Sequence, residues 1–175
     1  IKRIADAGKG GKSYLGGIPA PILLEKITET VIRQQKTSLN ILGTIKTELQ
    51  KESIFMIDET EVTPEQHPFL MDYFVRKVSP ALMTIMIGEL EKFPSLKDSA
   101  AYLAVRMSMS KNDTTLESKK NYALIEIPKN VERFIVFPSK EYQQFIIILD
   151  DLIRYCLHHI FSIFKYDDIS AHMIK

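Results

Sequence analysis

The sequence predicts an α+β chain: a long N-terminal helical segment followed by a small domain of antiparallel strands and helices. Three observations carry that expectation. Apolar residues recur at helical spacing from Leu24 to Leu49, the stripe of a helix that buries one face. Short β-branched or aromatic runs follow at 102–109, 122–127 and 134–137, the latter two stopped by Pro128 and Pro138, as strand ends often are. A second helical stripe, from Leu152 to Phe164, then leads to a last strand candidate at 168–175.

Each element has its own local reason. Gly8, Gly10, Gly11, Gly16 and Gly17 make residues 1–20 read as a flexible connection. Pro19 and Pro21 then mark a helix start, because proline suits the first helical turn. That helix is expected to run to about Glu52, with Leu24, Ile27, Val31, Leu42, Ile45 and Leu49 on one face and a polar middle at 33–38. At roughly 30 residues it would be about 45 Å long, more than one small core covers, so it is expected to support another domain or chain. Ile54–Ile57 reads as a short strand. Thr63-Pro64-Glu65-Gln66 reads as a helix start, with Thr63 as N-cap and Gln66 at the capping-box position. Phe69, Leu70, Tyr73, Phe74 and Val78 follow on that helix, then an apolar stretch over 82–87 and a loop through Gly88 and Pro94. Lys111–Lys120 suits a hairpin loop, and Ile146–Ile148 leads into a helix from Asp150 to Phe161. A change of pattern near Ser53 divides the chain into 1–53 and 54–175, and no internal repeat is visible.

Composition narrows the functional classes. The 175 residues are 45% hydrophobic and 26% charged, which suits one good core or two small ones. A net charge of +1 gives no sign of a nucleic-acid binder or an acidic tail. Cys156 stands alone, so no intramolecular disulfide can form, which fits a reducing compartment. The longest apolar run, Phe145–Leu149, falls far short of a membrane span of about 20 residues. No signal peptide is visible, and both ends look cut: the chain opens on Ile1 and stops at Lys175 within a strand pattern.

Most motifs fail on inspection. Gly10-Gly11-Lys12-Ser13 invites a phosphate-binding loop, but Asp6 stands where the first glycine is required and no strand precedes it. Lys2, Arg3, Lys9 and Lys12 cluster near the start; such groups can meet a polyanion or simply face water. His158 and His159 are adjacent and cannot share a helix face as a metal pair, and His67 and His172 lie in no zinc motif. Asp150-Asp151 suits the N-terminal end of a helix. Cys156, among Tyr155, Leu157 and Ile160, suits a core rather than a nucleophile. Arg133 and Arg154 could bind phosphate, but they suit partly buried ion pairs better. Residue chemistry alone therefore ends at a two-part α and α+β chain with no active site. An interaction module that uses the long helix as its partner surface remains the non-enzymatic reading.

The order of several segments is more specific. Phe69–Leu82, with Tyr73-Phe74 ahead of Val78 and Pro80, resembles a stretch of the bacterial polyphosphate kinases. Ala101–Val105, Tyr122–Pro128, Arg133–Pro138 and Ile148–Phe161 resemble further segments of that family in the same order. The Ile1-Lys2-Arg3 start and the helix with Arg33-Gln34-Gln35 fit the end of the family's N-terminal helical domain, and the rest fits much of its middle, or head, domain.

That resemblance implies a parent enzyme that moves the terminal phosphate of ATP reversibly onto inorganic polyphosphate, with Mg²⁺, through a phosphorylated histidine. It implies that the catalytic histidines and arginines belong to domains beyond Lys175, and an adenine-contacting asparagine to a motif ahead of Ile1. None of His67, His158, His159 and His172 matches the catalytic motif, so no catalytic, cofactor or metal residue is carried over. Lys2 and Arg3 are the candidate polyphosphate contacts. The resemblance further implies a homodimer, a scaffold and tunnel-wall role for the head domain, and a cytoplasmic location, with peripheral association to the inner membrane as its variant. The loop at 111–120 sets three lysines against Asp113 and Glu117, a weak phosphate-binding stripe.

Overall fold

The computed structural model describes residues 18–87, 93–109, 120–139 and 142–174. The chain divides into two units, Ile1–Glu52 and Ser53–Lys175. In the first, helix α1 spans Ala20–Lys51, a continuous run of 32 residues, or about 48 Å. Proline occupies its first turn and Lys51 its last, each where helix-end chemistry favours it. The hydroxyls of Thr28, Thr37, Thr44 and Thr47 donate to the carbonyls four residues back at 2.9–3.1 Å, so these polar groups are satisfied within the helix. Leu24, Ile27, Val31, Leu42 and Ile45 are 37–48% exposed, and the predicted stripe faces water rather than a core.

In the second unit the elements are β1 (Ile54–Ile57), α2 (His67–Tyr73), a π-helical turn (Phe74–Val78), a 3₁₀ turn (Ser79–Ala81), β2 (Met83–Met86), β3 (Tyr102–Ser108), β4 (Lys120–Glu126), β5 (Phe134–Val136), β6 (Gln144–Ile148), α3 (Leu149–Tyr155), α4 (Leu157–Ile160) and β7 (Asp168–Ile174). Two sheets form, ordered β1-β6-β5 and β2-β4-β3-β7. The α+β class holds, with one addition: β1 pairs with β6 in parallel, whereas the other pairs are antiparallel.

Period-two alternation explains the main core. Leu103, Val105 and Met107 of β3 and Ala123 and Ile125 of β4, with Ile127 just beyond, turn to one face. They meet Leu70, Phe74 and Val78 and the buried side of α3 and α4: Leu149, Leu152, Ile153 and Leu157. On the opposite face Tyr102 and Leu124 pack with Ala100 in a smaller cluster. The Lys97 N–H donates to the Tyr102 hydroxyl at 3.1 Å, which satisfies a phenol that is only 3% exposed. Both central strands of the larger sheet are thus covered on two sides.

Several elements depart from the sequence expectation. The apolar run read as leading into a helix is strand β6, the centre of the smaller sheet. The stretch at 82–87 contains strand β2. The helix expected from Asp150 to Phe161 is two short helices parted at Cys156, whose N–H is shared between the carbonyls of Leu152 and Ile153 at 3.1 and 3.2 Å. The helix predicted from Thr63 enters through a turn. The His67 N–H bonds to the Thr63 carbonyl at 3.2 Å, and the Gln66 side chain accepts the Thr63 N–H at 3.0 Å, one half of a capping box.

Candidate functional site

Among the described residues of the second unit, charged side chains gather where β6 passes into α3. Asp150 and Asp151 stand in the first turn of α3. Arg133 reaches Asp150 at 3.2 Å, and Arg154 lies 3.6 Å from Asp150 and forms a short ion pair with Asp151. Burial pushes the Asp151 carboxyl up to about 6, with Asp150, Glu59 and Asp58 adding repulsion that Arg154 only partly offsets. The cluster is therefore a structural network with an uncomfortable member. Both arginines face carboxylates, Arg154 largely covered and Arg133 through a single nitrogen on a half-exposed side chain. Elsewhere Arg76 pairs with Asp72 at 2.7 Å and Arg106 with Asp168 at 3.4 Å.

The thiol is buried, and three of the four imidazoles, though exposed, have an aromatic neighbour. Cys156 is 1% exposed, its Sγ lies 3.9 Å from Met71 Sδ, and burial pushes the thiol up to about 12; such a thiol is inert at neutral pH. His67 Nδ1 and the Tyr155 hydroxyl share a hydrogen bond at 2.7 Å. His158 Nδ1 and the Tyr166 hydroxyl lie 3.1 Å apart. The His159 ring stands edge-on to Phe74 with centroids 5.7 Å apart, and His172 is exposed on edge strand β7. Burial holds the phenols of Tyr155 and Tyr166 above their ordinary range, so they remain protonated partners.

Mg²⁺ is the metal the family reading implies, and the described residues do not fit it. No group of three or more His, Cys, Asp or Glu side chains among them is placed to hold an ion, and Asp150 and Asp151 already face arginines. Among the described residues no helix is long and apolar enough to cross a membrane.

Among the described residues of the second unit, three clefts stand out. The first, of about 330 Å³, lies between Phe69 of α2, Phe137 and Pro138 after β5, and Phe145 of β6, with Thr63, Glu65, Gln66 and Gln143 completing it. A second, of about 290 Å³, is lined by Tyr73, Lys77, Asn130, Val131 and Glu132. Glu132 and Lys77 share that lining, and burial, with Glu132 adding to it, holds the Tyr73 phenol above its usual range. The third, of about 270 Å³, joins Ser79 and Thr84 to His159.

Of the residues singled out in the sequence, Lys2, Arg3, Lys9, Lys12 and the 10–13 motif lie outside the described residues, as does 111–119 of the lysine loop. Arg154 forms the expected partly buried pair, Arg133 pairs with Asp150 from an exposed position, and Cys156 packs in the core. The phenylalanine cleft was not legible, because its walls come from separate stretches of chain that only the fold brings together.

Comparisons with known proteins give this arrangement a family. Residues 65–175 match the family model described as polyphosphate kinase middle domain. A polyphosphate kinase of Salmonella typhimurium is 32% identical over 158 residues, covering 87% of this chain and 22% of that protein. One from Vibrio vulnificus is 28% identical over the same coverage. The chain thus spans about a fifth of the length of the curated relatives it matches. In structure it is similar to a polyphosphate kinase from Porphyromonas gingivalis, with a TM-score of 0.71 and 23% identity over 86% of this chain and 25% of that one. That likeness carries the fold alone, whereas the family-model match extends over more than half of the sequence. The chain belongs to the polyphosphate kinase family, with its middle domain in residues 65–175.

Proposed function

We propose that this chain is the framing part of an enzyme that reversibly moves the terminal phosphate of ATP onto inorganic polyphosphate through a phosphohistidine, and that it does no chemistry alone. The supporting observation is the state of its reactive groups. Arg76, Arg106, Arg133 and Arg154 each face a carboxylate, and the buried thiol is held protonated. Phosphoryl transfer needs cations aimed at the moving charge and a nucleophile free to attack. Lys2 and Arg3 remain the proposed polyphosphate contacts. Purified chain supplied with ATP, Mg²⁺ and a polyphosphate primer is expected to lengthen no polymer; turnover comparable to a full-length relative would sink the proposal.

The frame is proposed to contribute dimer contacts and a tunnel wall. A polymer of many charges needs a long enclosure, and a second copy stiffens its walls. The 32-residue helix α1 with its exposed apolar stripe supports a surface of that kind, since exposed contiguous apolar patches mark interaction sites. The mass of the chain is accordingly expected to rise with concentration in sedimentation or light scattering. A strictly monomeric mass across a wide range would count against self-association.

A further inference from the structure

We propose that the cleft between the π-helical turn and the loop joining β4 to β5 binds a small zwitterion of α-amino-acid type. Its lining brings a cation and an anion to one space of about 290 Å³: Lys77 on the turn and Glu132 on the loop, with Tyr73, Asn130 and Val131 completing it. That volume lies at the lower limit of small-molecule sites, so it suits a ligand about the size of a single amino acid. Tyr73 ends α2, and Lys77 follows four residues on, within the π-helical turn. Such turns are rare and occur frequently at functional sites, and this one carries one of the two charges.

The polar groups of this lining are uncommitted. Among the described residues neither Lys77 nor Glu132 forms an ion pair, and no hydrogen bond engages the Tyr73 hydroxyl or the Asn130 amide. Their charged neighbours are paired: Arg76 with Asp72, and Arg133 with Asp150. Burial, with Glu132 adding to it, holds the Tyr73 phenol above its usual range, so the hydroxyl keeps its proton and donates. A ligand carboxylate is matched by the Lys77 ammonium and the Tyr73 hydroxyl, and a ligand ammonium by the Glu132 carboxylate; the Asn130 amide adds a donor and an acceptor. Lys77 and Glu132 are exposed, and one exposed ion pair contributes little alone. Binding therefore needs both charges on one molecule, and a ligand with a single charge forfeits one contact. Val131 and Tyr73 are half-buried and offer an apolar surface to an aliphatic side chain.

The inference goes beyond the phosphotransfer reading, and its test leaves that reading untouched. ¹⁵N-labelled full chain is titrated with L-leucine, leucine methyl ester and N-acetyl-leucine, following amide signals by NMR. L-Leucine is expected to shift Tyr73, Lys77, Asn130, Val131 and Glu132 saturably, with a dissociation constant of about 1 mM. The ester lacks the carboxylate and the N-acetyl compound lacks the ammonium, so each should bind about fivefold more weakly. Lys77→Met should cancel the advantage of leucine over the ester, and Glu132→Gln its advantage over the N-acetyl compound, while His158→Ala binds leucine as the parent does. Both replaced side chains are exposed, so the variants keep the fold, which an unchanged urea midpoint verifies. Leucine without a saturable shift at these residues overturns the proposal. Equal binding of either blocked analogue overturns it too, as does a preference for leucine that survives both variants.

Discussion

Phe74→Ala is expected to cost about 3–5 kcal/mol, the range for removing a fully buried phenylalanine. Phe74 is 1% exposed and begins the π-helical turn. Its ring belongs to the same cluster as Val105, Ile125 and Phe161 and meets His159 edge-on. Deleting it opens a cavity where α2, the larger sheet and the C-terminal helices converge, and close-packed neighbours collapse into such a space only in part. Small domains hold about 5–15 kcal/mol in total, so the variant should lose about a fifth or more of its stability. Urea denaturation checks this through a lowered midpoint. Phe93, 63% exposed, supplies the contrast: Phe93→Ala should stay within about 0.5 kcal/mol of the parent. Equal losses in the two variants would mean that Phe74 does not centre the core.

Asp151→Asn is expected to stabilise the fold at neutral pH. The Asp151 carboxyl is raised from 3.8 to about 6, first by burial, then by Asp150, against the pull of Arg154. A carboxyl raised in the folded state holds its proton there after the unfolded chain has released it. Stability is therefore complete with respect to this group below about pH 4, falls as pH rises toward 6, and levels off above about 7. A shift of roughly two units corresponds to about 3 kcal/mol, a figure that already includes the pull of Arg154 and that partial solvent screening reduces. Thermal or urea unfolding should thus find Asp151→Asn about 1–3 kcal/mol more stable at pH 8 and little changed at pH 4. A variant less stable at pH 8 would show that the Arg154 pair outweighs the cost of burying the charge.

Much of this architecture was legible from residue patterns, for identifiable reasons. Helix α1 announced itself through two prolines and an apolar period, and β3, β4 and β5 through alternation, β-branching and the stops at Pro128 and Pro138. Strand β6 was not, because Phe145–Leu149 is uniformly apolar and runs straight into a helix; periodicity cannot separate a buried strand from a buried helix turn. Its parallel pairing with β1 depends on partners such as Phe55 and Phe145, a long-range match with no local signal. The π-helical turn was hidden because Phe74 and Val78 continue the helical spacing of α2. The same distinction governs the site. Arg154 with Asp150 and Asp151 is a neighbourly pattern that sequence shows, whereas the His67–Tyr155 bond joins residues 88 apart and needed the fold.

The decisive measurement for the framing role is direct mapping of phosphohistidine. Purified chain is incubated with radiolabelled ATP and Mg²⁺, and acid-labile label is assigned by mass spectrometry to His67, His158, His159 or His172. No label is expected on any of them, since none of the four matches the catalytic motif that the family resemblance implies. Stoichiometric label on any one of the four, turning over onto polyphosphate, would contradict it.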